Sequence, residues 1–378
     1  MRMEGGTMNR IKLIDRLHQG KLGRREYLEA MGAFGVTAVT TLGMPRRVRA
    51  GGEILYFTWA GFEDPGLFPA YVEKYGGPPE STFYADEYEG IEKLKAGFTA
   101  DVVCPCIDVM PRWQTSGLTP IDESRLLYLD DVFDSLKDPP DAFKDGQRYF
   151  VPTYWGFSSI CYRPDLAGIT PEEESWKLLY DDRFAGRIAI WDSTDAVIPA
   201  ASLAAGDLED PYRPDGERLD KVLALKTKQR DLVRFYWNDS TELVQAFAAG
   251  EVVVSFCWAG TMNELRKQDF PITWANPKEG LISFNCGLAR SNQTRDEAAV
   301  YDFLNASMAA EAGKYMIETF AYGAANRKSF AMVDPALLKQ LNLSTPEESL
   351  AGSHAYQFVP HELKQLHINK FDEIKAGS

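Results

Sequence analysis

Two tryptophans stand where this chain could do its chemistry. Trp59 follows the unbroken apolar run Ile54-Leu55-Tyr56-Phe57, Trp258 follows Val252–Cys257, and each is followed by Ala-Gly. An indole face attracts cations and covers apolar surface. Rings at strand ends therefore suit a small ligand in the crevice beyond a sheet edge; packing against the sheet rim is the other reading of each ring. Acids lie at a comparable place, because Arg187–Trp191 runs into Asp192-Ser193-Thr194-Asp195. Asp195 either caps the helix that follows or meets a ligand.

Catalytic chemistry is poorly supplied. Of four histidines, His18 lies near the N-terminus and His354, His361 and His367 crowd the C-terminus. The commonest general base is thus missing from residues 19–353. His361-Glu362 would need a histidine at 365 to read as a zinc-protease motif, and Gln365 stands there. No Gly-rich phosphate loop, serine nucleophile elbow or zinc spacing occurs. Five cysteines, Cys104, Cys106, Cys161, Cys257 and Cys286, allow at most two internal disulfides. Cys104 and Cys106 are too close for an easy mutual bridge, and the expectation is buried free thiols. One competing reading stays open: an exported metal-binding protein or enzyme, with Cys104, Cys106, Cys257 and Cys286 converging on a soft metal. The preferred reading has no catalytic residues, no cofactor and no metal.

The elements that must position these residues alternate. A non-alternating apolar run fits a strand buried on both faces. Strand Ile54–Phe57, which stops at Trp59-Ala60-Gly61, helix Leu67–Tyr75, strand Pro79–Ala85, helix Glu87–Phe98 and strand Asp101–Cys106 predict a parallel, wound sheet. Helix Asp108–Thr115 follows. Tyr149–Tyr162 reads as two extended segments that could serve as a hinge between lobes. Beyond it come helix Pro171–Tyr180, strand Arg187–Trp191, helix Ala196–Ala205, helix Leu219–Tyr236 and helix Ser240–Ala249. Strands Val252–Cys257 and Pro271–Asn276 and a return segment, Leu281–Leu288, lead to helix Arg295–Thr319, a turn at Tyr322–Asn326 and a helical tail, Pro360–Ala376.

With 378 residues, 45% hydrophobic and 25% charged, the chain is long enough for two globular domains. The formal charge is -14, split as +6 over residues 1–50 and -20 over the rest. Such an acidic body repels nucleic acid and anionic lipid and attracts cations. Residues 1–50 read as a twin-arginine-type export signal: Arg24-Arg25, the apolar run Ala30–Met44, and Val48-Arg49-Ala50 as a cleavage pattern. Gly23 and Tyr27 depart from the commonest form of that signal.

The segments ILYFTW, DVVCPC, VPTYWG, VVVSFCWAG, PKEG and ETFAYGAANRKS, in that order over residues 53–330, resemble the periplasmic spermidine/putrescine-binding proteins of ABC importers. The resemblance implies an α/β, two-lobed periplasmic-binding-protein fold, each lobe a mostly parallel sheet flanked by helices, with the ligand cleft between lobes. It implies a first lobe from residues 51–158 and 283–378, the latter including the C-terminal helix, and a second lobe from residues 159–282. It also implies a monomeric periplasmic receptor whose partners are a small cationic or polar solute and an inner-membrane permease, with no nucleic acid. Carried over position by position, Trp59, Trp258 and Tyr322 match ring positions of that family's site. Phe62 stands where a tyrosine is usual, and Phe284 where a tryptophan is. Cys286 and Ser193 occupy positions where an aspartate is usual, Cys106 replaces a serine, and Asp108 stands where a tyrosine is common. Either Asp108, Asp192 or Asp195 supplies the negative charge, or the ligand is a different small molecule, such as a monoamine, a quaternary amine, an amino-acid derivative or an opine-like compound.

Overall fold

The computed structural model describes residues 54–377. The export-signal reading of residues 1–50 lies outside them. The apolar runs become buried strands. β1 (Leu55–Thr58) is followed by α1 (Pro69–Tyr75), β2 (Glu80–Phe83), α2 (Glu87–Lys95) and β3 (Val102–Val103). Both β2 and β3 pair with β1 in parallel, as the alternation of strand and helix predicts. Asp86 starts α2, accepting the Tyr88 N–H on Oδ1 at 2.7 Å.

The two extended segments at 149–162 form one strand, β4 (Val151–Tyr162). Its partners complete the sheet. A second parallel set follows β4: β5 (Ile188–Trp191), α3 (Thr194–Ala205), α4 (Gly216–Arg230), β6 (Val233–Trp237), α5 (Ser240–Ala248), β7 (Val254–Trp258) and α6 (Ala259–Lys267). β5 runs parallel to β6 and β7. The chain then returns through β8 (Ile282–Arg290), which is antiparallel to both β3 and β4. The hydrogen-bonded path is β2-β1-β3-β8-β4-β7-β5-β6.

The core explains why one sheet path serves two bodies. Along β4, Tyr154, Trp155 and Phe157 pack with Ile54, Tyr56 and Phe303, whereas Ile160, Cys161 and Tyr162 pack with Ile188, Trp237 and Phe256. β8 divides likewise, Ile282 joining the second cluster and Phe284 and Cys286 the first. A third cluster covers the opposite face of the β1–β3 strands, around Phe57, Tyr84 and Trp113.

Several expectations give way to tertiary contacts. Pro171–Tyr180 is two 3₁₀ turns, Pro171–Glu173 and Trp176–Tyr180, not an α-helix. Glu279 holds this segment from outside, accepting from Ser175 Oγ at 2.6 Å and Trp176 N at 3.2 Å. The helix expected over Leu219–Tyr236 stops at Arg230, and Val233–Trp237 joins the sheet instead. Its β-branched and aromatic residues suit a strand once a neighbouring strand is available. The helix expected over Arg295–Thr319 is broken into α7 (Glu297–Met308), α8 (Ala310–Tyr315) and a π-turn at Met316–Phe320. Extended backbone at Ala309, with ψ 154°, makes the break, and Asn326 Nδ2 donates to the freed Met308 carbonyl at 2.8 Å.

The expectation of free thiols is overturned for four cysteines. Cys106 is bonded to Cys286 and Cys161 to Cys257, while Cys104 alone is free and buried. Sheet register brings the partners together: β4 and β7 are neighbours, and Cys106 forms an isolated antiparallel bridge with Cys286 on β8. These bonds also dissolve the metal reading, since the cysteines do not converge as one set. Among the described residues no cluster of His, Cys, Asp or Glu could hold a metal ion, and no helix is long and apolar enough to cross a membrane. The tail forms α9 (His361–Ala376), which buries Lys364, His367, Phe371 and Ile374, one helical face by their spacing.

Candidate ligand-binding junction

The starts of two helices, α2 and α3, meet through Ser193 and Asp86. Ser193 caps α3, its Oγ accepting the Asp195 N–H at 3.2 Å. The cap is therefore Ser193, and the Asp195 carboxylate is left for other partners. Ser193 Oγ lies 3.4 Å from both Asp86 Oδ2 and Asp195 Oδ2, so its single proton serves one acid at a time. Asp86 belongs to the start of α2, so this contact ties α2 to α3.

A lysine completes the cluster. Lys364 of α9, 3% exposed, pairs its ammonium with Asp195 Oδ1. The same nitrogen lies 4.6 Å from the centroid of the Tyr88 ring, and the Arg112 guanidinium lies 4.8 Å from that ring. Asp108, on the turn Ile107–Val109, faces the same group of charges. Burial pushes its carboxyl up to about 7, and the nearby Asp195 charge adds to the rise. Burial and then Asp195 also raise Asp86, with Lys364 opposing. Tyr212 and Tyr356 border the cluster, sensing Asp108 and Asp195, and their rings are 5.6 Å apart. Tyr356 is held over β8 by its N–H donating to the Ser283 carbonyl at 2.8 Å.

The other residues singled out in the sequence do not gather in one place. Phe62, Phe284 and Tyr322 gather around Tyr154, at 4.9, 6.2 and 5.9 Å between ring centroids. Gly156 lies beneath Phe284 and Tyr322, where a Cβ would stand 2.7 Å from both rings. Phe284 and Tyr322 are buried. Cys106 and Cys286, placed in the site by position, are joined to each other and offer no polar group to a ligand. Half-buried Trp59 packs on Tyr84 at 4.7 Å. Trp258 packs on Trp191 at 4.9 Å and Trp237 at 5.0 Å, and it touches both main cores. The two tryptophans thus have separate ring partners. Asp192 pairs with Lys375 of α9 at 2.7 Å.

Asp86, Tyr88, Tyr212, Tyr356 and Lys364 were not legible as site residues. Asp86-Glu87-Tyr88 carries the signal of a helix start, but nothing local says what that start faces. Lys364 is separated from Asp195 by 169 residues.

The family model described as bacterial extracellular solute-binding protein matches residues 85–341, more than half of the chain. The chain belongs to that family. Among curated relatives of this solute-binding protein, the spermidine/putrescine-binding periplasmic protein of Escherichia coli is 22% identical over 332 residues, 86% of this chain and 92% of the relative. The Streptococcus pneumoniae PotD structure, a substrate-binding protein of a spermidine/putrescine ABC transporter, superposes with a TM-score of 0.70 at 16% identity, covering 86% of this chain and 99% of that one. MotA of A. tumefaciens B6, solved with glucopine, reaches 0.69 at 18% identity over 85% and 99% of the two chains. These likenesses establish the two-lobed α/β fold of periplasmic binding proteins. The family is one of solute-binding receptors.

Proposed function

We propose that this solute-binding protein is the periplasmic receptor of an ABC importer and takes a small amine of the spermidine or putrescine type between its lobes. The observation that carries the reading is the ammonium of Lys364 lodged beside Asp195 and over the Tyr88 face. A buried ammonium needs a carboxylate partner and gains from a ring face; this junction supplies both to one cation, with Asp86 and Asp108 close by. The name of the Escherichia coli relative points to the same ligand class. Two disulfides agree with an oxidising compartment, and so with export.

One observation favours a second reading, the same receptor for an amino-acid derivative or opine-like compound. Neither Cys286 nor Ser193 offers the carboxylate that the resemblance implies there, and the fold is shared with a glucopine complex. A thermal-shift screen separates the two. Spermidine or putrescine at 100 times its dissociation constant adds about 2.7 kcal/mol of stability. No shift at millimolar amine, with a shift by an opine or amino-acid derivative, selects the second reading.

A further inference from the structure

We propose that Lys364 is a tethered stand-in for a ligand ammonium: it bridges the two sides of the junction, and an incoming amine takes its place. This rests on the amine reading above. α9 does not need Lys364 in order to dock. His367 lies with Nε2 3.2 Å from the Pro214 carbonyl, Phe371 is buried in the second core, and Lys375 pairs with Asp192 at 2.7 Å. Lys364 and Lys375 are three helical turns apart and so share a face, yet their partners differ. Lys375 meets Asp192 and, at 4.5 Å, the Phe371 ring of its own helix, both within the second core's territory. Lys364 meets Asp195 of α3 on one side and Tyr88 of α2 on the other.

The bridge is chemically that of a bound amine. A lysine ammonium and the terminus of a polyamine are the same group on the same kind of methylene stem. Two such cations cannot both occupy the space between Asp195 and the Tyr88 face, so binding there requires the Lys364 side chain to withdraw. Because α9 keeps its other anchors, withdrawal needs rotation of one side chain and not release of the helix. Competition between the ligand and the protein's own ammonium then turns on one residue.

The test compares wild type with K364M, which keeps the apolar stem and removes the charge, and K364R, which keeps the charge. Small-angle scattering of the ligand-free proteins reads the bridge, and calorimetric titration with spermidine and putrescine reads the competition. K364M is expected to show a larger radius of gyration and to bind the amine at least about 10-fold tighter, with K364R close to wild type. A folded K364M with wild-type scattering, or with unchanged or weaker amine binding, overturns the proposal. If K364M does not give a cooperative melt, K364Q is read in the same way. No amine binding by any of the proteins removes the amine reading and the displacement with it, and scattering alone then decides the bridge.

Discussion

Glu87 shows how a single acid can be structural inside a charged junction. Its carboxyl accepts from the Cys106 N–H and from Trp113 Nε1, both at 2.7 Å, and it is buried. Burial, followed by the charge of Asp108, holds its proton affinity well above the usual carboxylate range. Glu87→Ala leaves two buried donors unpaired and is expected to cost about 2–4 kcal/mol in urea unfolding; a loss below about 0.5 kcal/mol contradicts that role. Asp108 carries a pH dependence. Asp195, Asp141 and Glu87 face it as acids, Lys364 as a cation, and Tyr88, Tyr212 and Tyr356 as phenols. With its carboxyl raised to about 7, the folded protein holds a proton that the unfolded chain has released. Its contribution therefore lowers stability as pH rises from about 4 to about 7. Asp108→Asn removes that slope, so the variant's melting temperature should exceed that of wild type by a few degrees at pH 8 and converge with it near pH 4. Parallel curves for the two proteins would exclude a proton on Asp108.

At the scale of elements, two covalent ties and one glycine hold the strands that cross between cores. The Cys161–Cys257 bond joins β4 to β7 across a sequence separation of 96, and Cys106–Cys286 fastens the segment after β3 to β8 across 180. Loops of this length are costly to close in the unfolded chain, so each bond is expected to contribute about 2–5 kcal/mol. A C161S/C257S double variant should lose that amount in denaturant unfolding, and reductant should lower the wild-type midpoint while C104S leaves it in place. Gly156 is the other device, since its missing Cβ lets Phe284 and Tyr322 rest on β4. Gly156→Ala forces both rings outward, with an expected loss of about 1–3 kcal/mol. If the rings contact ligand, titration of the same variant should also show weakened binding; destabilisation with unchanged affinity assigns them to packing alone.

At the scale of the whole molecule, β4 and β8 are antiparallel neighbours that each pass from one core to the other, and the candidate junction joins the starts of α2 and α3 with α9. The acidic balance beyond residue 50, a net -20, favours approach of a cation over that of an anion. Raised salt should therefore slow amine association more than it changes dissociation, a difference that stopped-flow titration can read.

The sequence by itself was enough for the class of fold and much of its element order. Unbroken apolar runs such as Ile54–Phe57 and Val252–Cys257 mark buried strands, and three- and four-residue spacing marks α2 and α9, because each pattern is complete within a few turns of chain. The same locality explains what it left out. Val233–Trp237 is a strand because β5 lies beside it, and the helix at 295–319 breaks because Asn326 takes up the Met308 carbonyl. Cysteines 96 and 180 residues apart pair through sheet register, and no spacing rule encodes that. Asp86, Asp195 and Lys364 become one charged group only when α2, α3 and α9 pack together. A side chain's charge is written in its type; which opposite charge it meets, and whether water is excluded there, is set by how the chain returns upon itself.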